Sequence, residues 1–165
     1  MGSARTARSS RNPIATELTL PDLAATRKLA ARLAQLLRPG DLVALEGDLG
    51  AGKSELARAT IRALAGAEIE VPSPSFTLVQ RYDLADLPVV HADLYRLADP
   101  EEVHELGLDE ALQTGALLVE WPERAADLLP ADRLTIRLAV ADGSDGRTAV
   151  IEAGPSWRDR LADLA

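Results

Sequence analysis

Gly47-Asp48-Leu49-Gly50-Ala51-Gly52-Lys53-Ser54 matches the pattern G-x-x-x-x-G-K-[ST], and its reading decides the fold. Glycines let the backbone coil tightly enough for successive N–H groups to point inward at a phosphate. A helix starting at the end of the loop adds its positive pole. Lys53 is then placed for the β- and γ-phosphates and the Ser54 hydroxyl for Mg²⁺. The competing reading is a chance match in a turn. At this composition that match is expected about 0.001 times in the chain. The chain has only two lysines, Lys28 and Lys53, and one falls where the pattern needs it. Neither belongs to an Asn/Thr-Lys-x-Asp segment that would read guanine, so ATP is the expected nucleotide.

The flanks suit this loop. Leu42-Val43-Ala44-Leu45 before it reads as a buried strand, and about Lys53–Ala65 after it reads as a helix stopped at Gly66. Further out, Ile14–Leu20 alternates as a strand, and Pro21-Asp22 opens a helix that Pro39-Gly40 ends. Val71-Pro72-Ser73-Pro74-Ser75 is an ordered loop, because two prolines remove donors and restrict their predecessors. Phe76–Leu84 and Leu87–Leu94 read as two strands, and Asp99-Pro100-Glu101-Glu102 as a helix start. Ala116–Val119 is a buried strand, Leu134–Val140 with Arg147–Ala153 a hairpin, and a last helix begins near Pro155. The expected fold is α/β: a three-layer P-loop NTPase fold with a mostly parallel central sheet and an antiparallel C-terminal addition. Residues 14–165 are expected as one domain, and the Arg/Ser-rich residues 1–13 as a disordered extension.

Composition narrows the partners. The net charge is −8, and Arg5, Arg8 and Arg11 stand in a stretch without acids; setting those three charges aside leaves −11 on the rest. So acidic a body is a poor broad platform for a phosphate backbone, so DNA is not an expected partner and any RNA is reached through another protein. No apolar run is long enough for a membrane helix, and a cytoplasmic protein is expected. The chain has no cysteine, which excludes disulfides and thiolate metal sites.

A phosphate loop needs carboxylates for the metal and its waters. Glu120 ends the apolar run Ala116–Val119 at the carboxyl edge of a central strand, where such a group should stand. The competing reading is a surface Glu at a strand end. Asp93 shares a strand face with His91 and Tyr95 and is read as assisting the metal or orienting the attacking water, against the alternative of a wet edge strand. His91 is read as a structural histidine. Ser73, Ser75 and Thr77 occupy the proline-stiffened loop, a region that meets the γ-phosphate in many P-loop proteins.

Four blocks in order resemble the bacterial TsaE (YjeE-type) family: Gly47 to Lys53, Ser73-Pro74-Ser75-Phe76-Thr77-Leu78, His91-Ala92-Asp93-Leu94-Tyr95-Arg96-Leu97, and Glu120-Trp121-Pro122-Glu123. The resemblance runs from about residue 14 to the C-terminus. It implies a slow ATPase needed for threonylcarbamoyladenosine at position 37 of tRNAs, acting with TsaB and TsaD. TsaD transfers the group, and the ATPase resets the complex between turnovers. It also implies that Ser54 and Glu120 ligate Mg²⁺ and that Asp93 supports metal and water. Lys53, Asp93 and Glu120 become the catalytic set, and Thr77 lies in a switch-like loop. Trp121 packs near the site, and Gly146, Arg147 and Thr26 approach the nucleotide. Ser54 stands where the family usually has Thr, and it keeps the hydroxyl. Glu55 replaces a frequent second Thr, either placing a negative charge near the phosphates or facing solvent. Ser75 likewise replaces the usual Thr of the loop block. The alternative activity is a small-molecule kinase, for which Arg96 and Arg124 are the candidate lid arginines.

Overall fold

The computed structural model describes residues 14–143 and 145–164, so the extension expected over residues 1–13 lies outside the described residues. Among the described residues seven strands form one sheet: β1 (Ile14–Leu20), β2 (Leu42–Glu46), β3 (Val79–Tyr82), β4 (Val89–Asp93), β5 (Ala116–Glu120), β6 (Leu134–Val140) and β7 (Arg147–Ala153). Their spatial order is β1-β7-β6-β2-β5-β4-β3. The four middle strands run parallel, through the ladders β6–β2, β2–β5 and β5–β4. Antiparallel strands flank them on both sides, with β7 and β1 beyond β6 and β3 beyond β4. The antiparallel portion is thus not confined to the C-terminal hairpin. The N-terminal strand β1 pairs along its full length with β7, and β3 folds back on β4.

Among the described residues four α-helices accompany the sheet: α1 (Leu23–Leu36), α2 (Lys53–Ala65), α3 (Leu108–Thr114) and α4 (Leu161–Leu164). The period of two in the strands separates two cores. Val43, Leu45, Leu118, Ile136 and Ile151 face α1, α2 and α4, where they meet Leu29, Leu33, Leu56, Ile61 and Trp157. Leu42, Ala44, Leu117, Val119 and Ala92 face the other way, against Val103, Leu108 and Leu129. Because both faces are covered, β2 and β5 are apolar on successive residues, the mark of buried parallel strands.

Local chemistry sets the helix ends. Asp22 caps α1, accepting a hydrogen bond from the Ala25 N–H at 2.8 Å, and Gly66 closes α2 in the left-handed region. Two expected helices are shorter than their sequence patterns. Pro100–Leu106 forms 3-10 turns, and Gly107, at φ 72°, separates them from α3. Pro155–Trp157 is likewise a 3-10 turn ahead of the four-residue α4. The strand expected from Phe76 begins only at Val79, because the Leu78 N–H donates to the Pro74 carbonyl at 2.7 Å and closes a turn.

The C-terminal segment is fastened by a buried ion pair at the end of the sheet opposite the glycine-rich loop. Arg160 donates to both carboxylate oxygens of Asp41, at 2.7 and 2.9 Å, and to the Leu36 and Ser156 carbonyls. Its guanidinium lies 3.7 Å from the centre of the Trp157 ring. Asp41 also accepts from the Arg38 N–H, so neither charge is left without partners. Removing one member strands the other in the interior. Asp41→Ala should therefore lower stability by about 3–5 kcal/mol, measured as a fall in the urea midpoint without a change in slope.

Candidate phosphate-binding site

The loop between β2 and α2 is built on backbone conformations open only to glycine. Gly47 sits at φ +143°, and a Cβ there would lie 2.4 Å from the Leu138 carbonyl oxygen of β6. Gly52, at φ +107°, turns the chain into α2 with no side-chain cap. The first-turn N–H groups of α2 therefore have no side-chain cap from Gly52 and are open to an anion.

Lys53 is buried, and its ammonium donates to the Gly47 and Asp48 carbonyls at 2.5 and 2.9 Å. The same Nζ lies 4.3 Å from the centre of the Trp121 ring. Burial lowers its pKa from 10.5, opposed by the charges of Glu120, Glu123, Asp93 and Asp48. Lysine, loop carbonyls and indole thus form one closed arrangement at the loop mouth. Trp121 adopts a left-handed φ of 58°, a conformation a bulky residue takes only under constraint.

The acids come from adjacent parallel strands. Asp93 and Glu120 are register partners at the carboxyl ends of β4 and β5, and Glu120 also pairs with Leu45 of β2. Ser54 Oγ donates to Glu120 Oε1 at 2.8 Å. The other carboxylate oxygen, Oε2, lies 2.7 Å from His91 Nε2, and both side chains are almost wholly buried. Asp93 accepts from the Tyr95 N–H at 3.0 Å. Burial pushes the Asp93 pKa up from 3.8, the Tyr95 hydrogen bond pulls it down, and the Glu120 charge adds to the rise.

These groups open on a cleft of about 400 Å³ lined by Leu49, Gly50, Gly52, Lys53, Ser54, Glu55, Ser73, Ser75, Asp93, Tyr95, Glu120, Trp121 and Arg147. A smaller hollow of about 120 Å³ adjoins it, sharing Gly52, Glu55 and Arg147 and adding Thr26, Ala51 and Asp145. Arg147 joins β7 to the loop, donating to the Ala51 and Gly50 carbonyls at 3.1 and 3.3 Å. Gly146 is backed by Leu20 and Pro21, where a Cβ would come within 3.0 Å of the Leu20 carbonyl oxygen. Glu55 is exposed and pairs with Arg58 one turn along α2, at 2.5 Å. Its charge is shared with that arginine as it borders both hollows.

The structure therefore brings Lys53, Ser54, Asp93, Glu120 and Arg147 to one cleft. Thr77 is exposed on the turn beyond it and does not line it, whereas its loop neighbours Ser73 and Ser75 do. The Asp48 side chain is exposed, and this residue meets Lys53 through its carbonyl. Two features of the site, one on the cleft wall and one beneath it, were weakly marked in the sequence. Tyr95 lies past the end of β4, its ring centre 4.8 Å from that of Trp121, so strand alternation misplaces it. His91 was read as structural, yet among the described residues its ring bonds to Glu120. The i, i+2 spacing from Asp93 was the available signal.

A glycine-rich loop joining a central parallel strand to a helix, with acids on the neighbouring strand ends, defines the class as a P-loop α/β protein. The family described as threonylcarbamoyl adenosine biosynthesis protein TsaE matches residues 20–149, and the chain belongs to it. Curated relatives named tRNA threonylcarbamoyladenosine biosynthesis protein TsaE are similar over most of the chain. The Rickettsia felis protein is 42% identical over 76% of this chain and 74% of its own. The Streptomyces coelicolor protein is 41% identical over 84% and 97%, and that of Bacillus subtilis 40% over 78% and 79%. The crystal structure of Bacillus subtilis YdiB superposes with a TM-score of 0.77 at 32% identity, covering 92% of this chain and 93% of that one.

The raised Asp93 pKa has a consequence for stability. The folded chain holds this proton more tightly than the unfolded chain does, so the stabilisation is present at low pH and is lost as pH rises through the elevated value. Asp93→Asn should make the ligand-free protein more stable than wild type at neutral pH. That advantage should shrink as pH falls toward 3.8, and thermal melts across the acid range read it directly.

Proposed function

We propose that this chain is a Mg²⁺-dependent ATPase that acts with TsaB and TsaD in forming threonylcarbamoyladenosine at position 37 of tRNAs. The observation that carries the reading is the meeting of Lys53, Ser54 and Glu120 at a loop whose glycines hold it in left-handed backbone at the start of α2. The relatives' names supply the pathway.

The residues suit the groups they would hold. Gly50 and Gly52 hold left-handed backbone, with open space where a Cβ on Gly50 would project; this fits a loop wrapped on a phosphate, and the first turn of α2, without a side-chain cap from Gly52, suits its charge. Ser54, Asp93 and Glu120 offer hard oxygen donors of the kind Mg²⁺ takes. Among the described residues no three of His, Cys, Asp and Glu form a metal cage. This suits an ion completed by water and phosphate oxygens. When bound, Mg²⁺ supplies charge neutralisation on the β- and γ-phosphates.

The protein's own part is positioning. Loop amides cradle the phosphates, and Lys53 exchanges the Gly47 and Asp48 carbonyls for phosphate oxygens. Asp93, at the carboxyl edge of β4, orients the water that attacks the γ-phosphorus, giving ADP and phosphate. The smaller hollow beside Thr26 and Arg147 is the place for the base and sugar. Arg147 is the arginine of the cleft wall, and the Ala51, Gly50, Asp145 and Gly146 carbonyls already occupy its guanidinium. An arginine finger is worth about 10³–10⁵ in rate, so turnover by the chain alone is slow and contact with partner proteins raises it. Arg96 and Arg124, the arginines a kinase lid would use, lie over Phe76 and Tyr95 and do not line the cleft.

Phosphate release by the isolated chain should stay below about 1 s⁻¹, the low end for kinases. With TsaB, TsaD and tRNA present, modified nucleoside should form over many cycles only when this protein is added, and Glu120→Ala should abolish that support. Lys53→Ala should remove ATP binding, measured by titration calorimetry. A phosphorylated small molecule accumulating in a metabolite screen, with partners having no effect, would replace this reading with a kinase.

A further inference from the structure

We infer that His91 is a positioning residue that fixes the Glu120 carboxylate for a divalent cation. This inference rests on the nucleotide reading above and deepens it. Glu120 has two oxygens and two side-chain partners: Ser54 Oγ on Oε1 at 2.8 Å, and His91 Nε2 on Oε2 at 2.7 Å. An ionised carboxylate only accepts, so Nε2 carries the proton and donates. The two contacts approach from different elements, α2 and β4, and together set both the position and the rotation of the carboxylate plane.

The geometry separates this role from that of an ordinary buried histidine. A histidine kept for the core commonly anchors both ring nitrogens. His91 Nδ1 is buried without a hydrogen-bond partner among the described residues, so the ring's hydrogen bonding there is directed at Glu120. Burying a polar ring with one nitrogen unpartnered costs stability, and no other hydrogen bond of the ring offsets that cost. His91 also sits two residues before Asp93 on β4, opposite Leu118 and therefore one step deeper in the sheet than the Asp93–Glu120 pair. It is a floor beneath the carboxylates, 1% exposed, and lies outside the cleft wall. It cannot reach a nucleotide; its effect passes through Glu120. Were a cation held by Glu120, the Oε2 contact would keep the carboxylate in its orientation. Such outer partners of metal ligands are typically worth about 10–100-fold in metal affinity.

The test separates donor reach from mere volume. Binding of a fluorescent ATP analogue would be followed against Mg²⁺ concentration and again in EDTA, for wild type, His91→Gln and His91→Asn. The glutamine amide extends far enough to replace Nε2, whereas asparagine is polar and compact but falls short. For His91→Asn we expect the Mg²⁺ midpoint to rise about 10–100-fold, with binding in EDTA within about twofold of wild type. His91→Gln should restore most of the Mg²⁺ response. Equal midpoints in wild type and His91→Asn would overturn the positioning role while leaving the nucleotide site intact. Equal losses in EDTA and in Mg²⁺ would also overturn it, by showing a general structural defect. If wild type itself showed no Mg²⁺-dependent binding, the nucleotide reading would fail and this inference with it.

Discussion

Three ionisable side chains, Lys53, Asp93 and Glu120, are buried together at the carboxyl edge of the parallel strands, and the rest of the structure is arranged to make that tolerable. Burying an isolated charge is among the costliest acts in folding, so each of these groups needs partners fixed in advance. Lys53 takes two loop carbonyls and an indole face, Glu120 takes a hydroxyl and an imidazole, and Asp93 takes a backbone amide. These contacts draw on the loop after β2, α2, β4, β5 and the turns after β4 and β5. The site therefore exists only when the parallel register is formed.

The residual costs fall where function would need them. Asp93 still favours its proton more than a free carboxylate does, and Lys53 gives up its proton more readily than a free amine. Trp121 and Leu78 hold left-handed backbone on the segments that border the cleft. Leu78 also accepts the Asp93 N–H at 2.9 Å, tying the Ser73–Leu78 loop to the acid strand. Against this stands the Asp41–Arg160 pair at the far end of the sheet, joined by two hydrogen bonds and remote from the cleft. Shifted proton affinities at one end and a directly paired opposite charge at the other is the pattern expected of a scaffold that carries a site.

Much of this was legible because local signals and the fold agree. Gly47 to Ser54 fixed the strand–loop–helix unit, and α2 and the β6–β7 hairpin lie where their sequence patterns put them. Glu120 was readable as the polar end of an apolar run. The misses have physical causes. Phe76 to Leu78 has strand-like residues, but the Pro74 carbonyl captures the Leu78 amide and makes a turn. β1 joins an antiparallel edge because its partner β7 is far away in sequence, and such a pairing is set by the whole sheet. The partners of His91 could not be read from one strand, since Glu120 lies on another strand and 29 residues away.

The most direct measurement of the central claim is a crystal structure with Mg²⁺ and a non-hydrolysable ATP analogue. The account predicts the β-phosphate within the Gly47–Ser54 loop and the Lys53 ammonium moved from the Gly47 and Asp48 carbonyls onto phosphate oxygens. It also places the cation beside Ser54 and Glu120. A nucleotide bound elsewhere, or Lys53 still held by its own loop carbonyls with the nucleotide present, would contradict it.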